Sequence, residues 1–142
     1  MATSAIPGYG TLLKMGDGAT PETFSTIVEV NEINPPEITL KTDDATHHGS
    51  GGWEEVIATL LSGGEISAKV NWIPTDATHN ESTGFYAAMI NRTKKNWKVV
   101  LPDSTKTFAF AAYVTKSKLG TPLDKKMTAE ITLKITGAVT VS

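Results

Sequence analysis

Between residues 65 and 136 the chain alternates apolar and polar positions in several runs, interrupted once by helical spacing. In the first run Ile66, Ala68, Val70 and Trp72 share one parity, and Glu65, Ser67, Lys69 and Asn71 take the other. This predicts a strand with one buried face, and Pro74 ends it because proline donates no ladder hydrogen bond. Thr78-His79-Asn80-Glu81 has the spacing of a capping box. It predicts a helix over residues 78–93 that buries Phe85, Ala88 and Met89 and ends in the basic run 92–95, where cations complement the helix dipole. Strands over 97–101 and 106–116 follow, joined by the turn Pro102-Asp103-Ser104, with Phe108, Phe110, Ala112 and Val114 on one face. After Gly120-Thr121-Pro122, a last strand over 127–136 sets Met127, Ala129, Ile131, Leu133 and Ile135 against Thr128, Glu130, Thr132, Lys134 and Thr136.

The first half is less regular. Residues 1–10 read as an extended arm, 11–15 as a short strand closed by Gly16-Asp17-Gly18, and 22–33 as one strand stopped by Asn34-Pro35-Pro36. Residues 38–42 and 54–61 read as strands around a long, acidic, Gly-rich loop at 41–53, and Ser62-Gly63-Gly64 turns the chain into the clean strand that follows. A loop of that length inside a compact domain is usually functional or disordered. The expected organisation is an arm at 1–10, a β-domain at 11–137 and a tail at 138–142. One-sided alternation implies antiparallel sheets, each with one face on a core, so the expected class is mainly β with a single flanking helix.

A chain of 142 residues fits one domain. No apolar run reaches the ~20 residues that span a bilayer, so no membrane partner is expected. The N-terminus lacks the basic and apolar regions of a signal peptide. With no cysteine, stability must come from packing or assembly. A cytoplasmic origin fits, and a secreted product stays open. The net charge of −2 conceals a division: residues 1–71 hold ten acids and three bases, whereas 72–142 hold five acids and ten bases. Such a split suits one copy's acidic edge meeting another copy's basic edge, or it mixes into an even surface once folded.

Reactive constellations are absent from the sequence. His47 and His48 are adjacent, and neighbouring imidazoles do not readily aim at one tetrahedral ion. No G-x-S-x-G elbow occurs, and Gly49-Ser50-Gly51-Gly52 lacks the Lys-Ser/Thr of a phosphate loop. Asp43/Asp44 and Glu54/Glu55 read as solvated charge rather than calcium ligands. Trp72, Phe85, Phe108 and Phe110 occupy apolar parities, and Trp53 and Trp97 lie at strand starts, with core the favoured place for both and an interface the alternative. No enzyme activity, cofactor or metal is expected.

Ala68-Lys-Val-Asn-Trp-Ile-Pro74, the capped segment with Phe85-Tyr-Ala-Ala-Met-Ile90, and Trp97-Lys-Val-Val-Leu-Pro102 together resemble the major tail tube protein of long-tailed bacteriophages. So do the turn Asp103-Ser104, the strand Phe108-Ala-Phe-Ala-Ala-Tyr-Val114 and the closing segment 129–137. The likeness covers nearly the whole chain and lies in the ordered combination rather than any one motif. It implies an antiparallel β-sandwich or open barrel with a flanking helix, a fold shared with type VI secretion tube proteins. It also implies hexameric rings stacked into a tube that conducts genomic DNA, which passes without specific binding. Implied partners are further copies of the chain, a tape measure protein, a tail tip or initiator, and a terminator. The implied location is the virion tail after assembly in host cytoplasm. The further C-terminal immunoglobulin-like domain of some members is not expected here.

Ring stacking joins unlike surfaces. On this reading Ile6, Tyr9, Asp43, Asp44, His47, His48, Trp53, Arg92, Lys94 and Lys95 are candidates for contacts between subunits or rings. Glu65, Ser67, Lys69, Thr128 and Glu130 are candidates for a lumen whose acids repel phosphate. Two alternatives are a secretion-system tube protein of the same fold and a ligand-binding β-sandwich module. The second calls for surface aromatics, whereas the aromatics here mostly take core parities.

Overall fold

A computed structural model describes Thr3 and residues 8–19, 21–102 and 106–142. The strands are β1 (Leu12–Gly16), β2 (Phe24–Thr26), β3 (Val30–Ile33), β4 (Thr39–Asp44), β5 (Val56–Ser62), β6 (Glu65–Asn71), β7 (Lys95–Val100), β8 (Thr107–Gly120) and β9 (Thr128–Val141). One helix, α1 (Phe85–Ile90), lies between β6 and β7. Seven strands form an antiparallel sheet in the order β2-β1-β7-β8-β9-β6-β3, and β4 and β5 pair only with each other.

That order dictates the shape. The two outermost strands, β2 and β3, are neighbours in sequence, separated only by residues 27–29. Laid flat, seven strands would put the edges about 29 Å apart, yet the chain from Thr26 to Val30 reaches at most about 14 Å. The sheet must therefore curl until its edges approach, as an open barrel. Ile27 faces inward at the seam, and its amide donates to the Leu13 carbonyl at 2.9 Å. Residues 22–33 are thus two short strands rather than the single expected one. The reversal is made at Glu29, whose φ of 53° no strand accommodates.

The alternating runs face the core as their pattern requires. Ile66, Ala68 and Val70 from β6, Ala129, Ile131, Leu133 and Ile135 from β9, and Phe110, Ala112 and Val114 from β8 are buried together. Trp97 is also in this core, its indole N–H donating to the Ala112 carbonyl at 3.3 Å. Met127 alone departs from the expected inward set and is exposed, because it precedes β9. β9 also runs beyond its expected end. Gly137 adopts φ 81° where the β8–β9 register shifts, and Val141 pairs with Phe108, so the residues read as a tail carry sheet ladder.

The helix is shorter than its pattern suggests, and the capping box does not form. The Thr78 hydroxyl donates to Asp76 Oδ1 at 2.6 Å and accepts from the Val28 amide at 3.3 Å. Asn80 Oδ1 instead accepts from the amides of Ser82, Thr83 and Gly84. His79 explains the difference. It is buried against Phe85, accepts from the Ile73 amide at Nδ1 (3.0 Å), and lies 3.0 Å from the Val28 carbonyl at Nε2. Anchoring that ring wraps residues 76–83 into turns, and the helix starts only after Gly84. The basic run then falls outside the helix: Asn91 is the C-cap, Arg92 has φ 53°, and Lys95 opens β7.

Candidate functional site

The segment at 41–53 begins in β4 and continues as the ordered tip of a hairpin, with residues 45–55 connecting β4 to β5. β4 and β5 pair from Thr39↔Ser62 to Asp44↔Val56 with one register shift, and Ala45 N donates to the Glu55 carbonyl beyond them. The tip is tied by its polar side chains. Asp44 Oδ1 accepts from the Thr46 amide at 2.8 Å, Thr46 Oγ1 accepts from the Glu55 amide at 2.9 Å, and a 3₁₀ turn spans His48–Ser50. The Thr46 hydroxyl and amide hold the Asp44 carboxyl below its ordinary range.

Almost every residue of this ribbon is exposed. Partners directly opposite share a face, so, across the register shift, one side carries Leu40, Leu61, Ala58 and Val56 and the other Ile57. Leu60 and Leu61 are 67% and 71% exposed, and Trp53 beside the tip is 80% exposed. Trp53 is therefore not core, the favoured expectation, because it precedes β5 on a ribbon that stands off the body. An isolated two-stranded hairpin is marginal in water, and a contiguous apolar surface of this kind marks a contact site. The pattern reading assigned a strand here but not its exposure. The signal was available in Val56-Ile57-Ala58-Thr59-Leu60-Leu61, a nearly unbroken apolar run that gives a strand two apolar faces.

Asp43, Asp44, His47, His48 and Trp53 come together on and beside the hairpin tip, all exposed. Arg92 and Lys94 are exposed after α1, and Lys95 is half-buried in β7. Tyr9 is fully open to solvent and lines a groove of about 960 Å³ along the barrel seam, with residues of β1 and β3. Ile6 lies outside the described residues.

Glu65, Ser67, Lys69, Thr128 and Glu130 share one face. The inward positions of β6 and β9 are the apolar ones, and the register sets Lys69 opposite Glu130 and Asn71 opposite Thr128. No large apolar side chain interrupts those five.

Ser50, His47 and Glu55 form a cluster that resembles acid–base machinery. Ser50 Oγ lies 3.1 Å from His47 Nδ1 and donates directly to the Glu55 carboxylate, which is 3.3 Å from the same Nδ1. A catalytic relay needs hydroxyl and carboxylate on opposite ring nitrogens, so this arrangement ties the hairpin turn and does not activate the serine. Among the described residues, no group of three or more His, Asp or Glu side chains could hold a metal ion.

The family model for the lambda phage tail tube protein matches residues 9–142. No curated protein matches the sequence. Among solved structures, the chain is similar to one from the tail of an empty gene transfer agent particle refined with C6 symmetry. That pair has a TM-score of 0.76 at 20% identity, covering 97% of this chain and 99% of the other. A chain of the native gene transfer agent virion gives 0.74 at 19%, with coverages of 97% and 99%. One from the sheath/tube terminator of an extracellular contractile injection system gives 0.73 at 16%, with coverages of 100% and 99%. At these identities the likenesses show a shared fold.

Proposed function

The chain belongs to the lambda phage tail tube protein family, a structural component of the virion tail and not an enzyme family, and we propose that it assembles with copies of itself into stacked six-membered rings whose lumen conducts DNA. The observation that carries this reading is the β4–β5 hairpin, an exposed apolar ribbon whose strands, among the described residues, pair only with each other. A second copy is the partner a polymer subunit always has available, and heterologous contacts between unlike surfaces propagate a tube. The hairpin tip with Asp43, Asp44, His47, His48 and Trp53 serves as one side of such a contact, and Arg92, Lys94 and Lys95 belong to complementary surfaces, together with Tyr9 and Ile6 of the arm. The polar face with Glu65, Ser67, Lys69, Thr128 and Glu130 lines the lumen. Tape measure, initiator and terminator proteins nucleate and end the polymer, which forms in host cytoplasm. C6 symmetry in a similar tail supports the ring number.

The test is negative-stain microscopy of concentrated protein, alone and with its tail-tip proteins, beside the Leu60→Asp/Leu61→Asp variant. Hollow tubes or six-fold rings are expected for the native chain. The variant should keep the native melting curve and remain monomeric. Tubes formed equally well by the variant would overturn the hairpin's role.

A further inference from the structure

The polar face of β8, β9, β6 and β3 is ordered in rows. Lys118 stands opposite Glu130, Glu130 opposite Lys69, and Lys69 opposite Glu32, so one row crosses four strands with alternating sign. Lys69 Nζ is 3.8 Å from Glu32 Oε2. A second row sets Glu65 opposite Lys134, and between the two rows Lys116 stands opposite Thr132. Glu29 leans onto the same face, its Oε1 accepting from Asn71 Nδ2 at 3.2 Å. Four lysines thus share the face with four glutamates, and none of the eight is buried.

A bulge in β8 produces this balance. Continued strictly from the buried Val114, alternation would turn Lys116 and Lys118 into the core and Ser117 outward. The register shift between Val114 and Lys116 inserts one extra residue and reverses the parity. Ser117 Oγ is then buried and both lysines face solvent.

We propose that the glutamates of this face mask its lysines, making the surface indifferent to double-stranded nucleic acid. Cross-strand neighbours stand about 5 Å apart, closer than the screening length of about 10 Å at 0.1 M salt. An approaching phosphate therefore senses the row's sum rather than any single charge. The face neither repels the polyanion, as acids alone would, nor holds it, as lysines alone would. Its use in a lumen rests on the reading above, but the masking is a property of a single copy.

The experiment is fluorescence anisotropy of the full chain with a short random-sequence DNA duplex across a salt series. Glu65→Gln/Glu130→Gln should bind at least about tenfold more tightly than native protein at low salt. Its plot of log affinity against log salt should be steeper by about 2 to 4, each neutralised phosphate contributing about −0.9. Adding Lys116→Ala/Lys118→Ala should remove the gain. Should the first pair fail to fold, Glu32→Gln/Glu65→Gln at exposed positions makes the same test. A folded variant with no gain, or a gain that survives loss of both lysines, overturns the masking. Labelling of Ser67→Cys by a bulky maleimide in assembled tubes reads the lumen assignment separately, so either idea can fail alone.

Discussion

The Ile27 amide donates to the carbonyl of Leu13 at 2.9 Å, and both side chains are fully buried in one core. This contact fastens the three-residue crossing that carries the chain from the first edge of the sheet to the last. Ile27→Ala should destabilise the fold by about 2–5 kcal/mol, the usual cost of emptying a buried aliphatic site. Urea denaturation followed by tryptophan fluorescence measures it, and a loss under about 1 kcal/mol would show that the seam relaxes freely.

His79 holds two backbone groups at once. The Ile73 amide donates to Nδ1, so Nε2 carries the hydrogen that reaches the Val28 carbonyl. His79→Leu keeps the apolar contact with Phe85 but strands both groups. At about 1–3 kcal/mol for each orphaned group, the expected loss is about 2–6 kcal/mol. A variant of native stability would mean that water replaces the ring.

Gly84 precedes α1 where no side chain fits. A Cβ there would lie 2.5 Å from the amide nitrogens of His79 and Asn80. Because these are backbone atoms, the turn must shift, and Gly84→Ala should cost about 1–3 kcal/mol. Thermal melting of the variant beside the native chain checks the value.

Acid should destabilise the fold. The Thr78 hydroxyl and then its amide hold the Asp76 carboxyl below 3.8. The amides of Ala19 and Thr23 do the same for Asp17. A carboxyl lowered in the folded state binds fewer protons there than when unfolded. Its stabilisation is complete above the unfolded value and disappears as pH falls through the folded one. Melting temperature should therefore decline below pH 3.8, and Asp76→Asn should melt lower at neutral pH but lose less on acidification. Parallel declines for both proteins would remove Asp76 from the account.

Local pattern was enough wherever a strand buried one face. The alternations of β6 and β9 placed their core residues, and the placement of Glu65, Ser67, Lys69, Thr128 and Glu130 on a single polar face followed from parity. The capped helix misled because the capping pattern is local, whereas His79 is held by Val28, a partner 51 residues away. The hairpin was legible as a pair of strands with an acidic connection, but not as a ribbon without a core.

Taken alone, the sequence determined the antiparallel class, the lone helix and the inward face of each regular strand. These follow from side-chain period and residue type, which act over a few neighbours. Tertiary structure decided the closure of the barrel, the splitting of residues 22–33, the exposure of β4 and β5, and the placing of lysines opposite Glu32, Glu65 and Glu130, but not Glu29, across the sheet. Those depend on strand order and register, set by contacts between residues far apart in the chain, and a single bulge suffices to reverse what faces out.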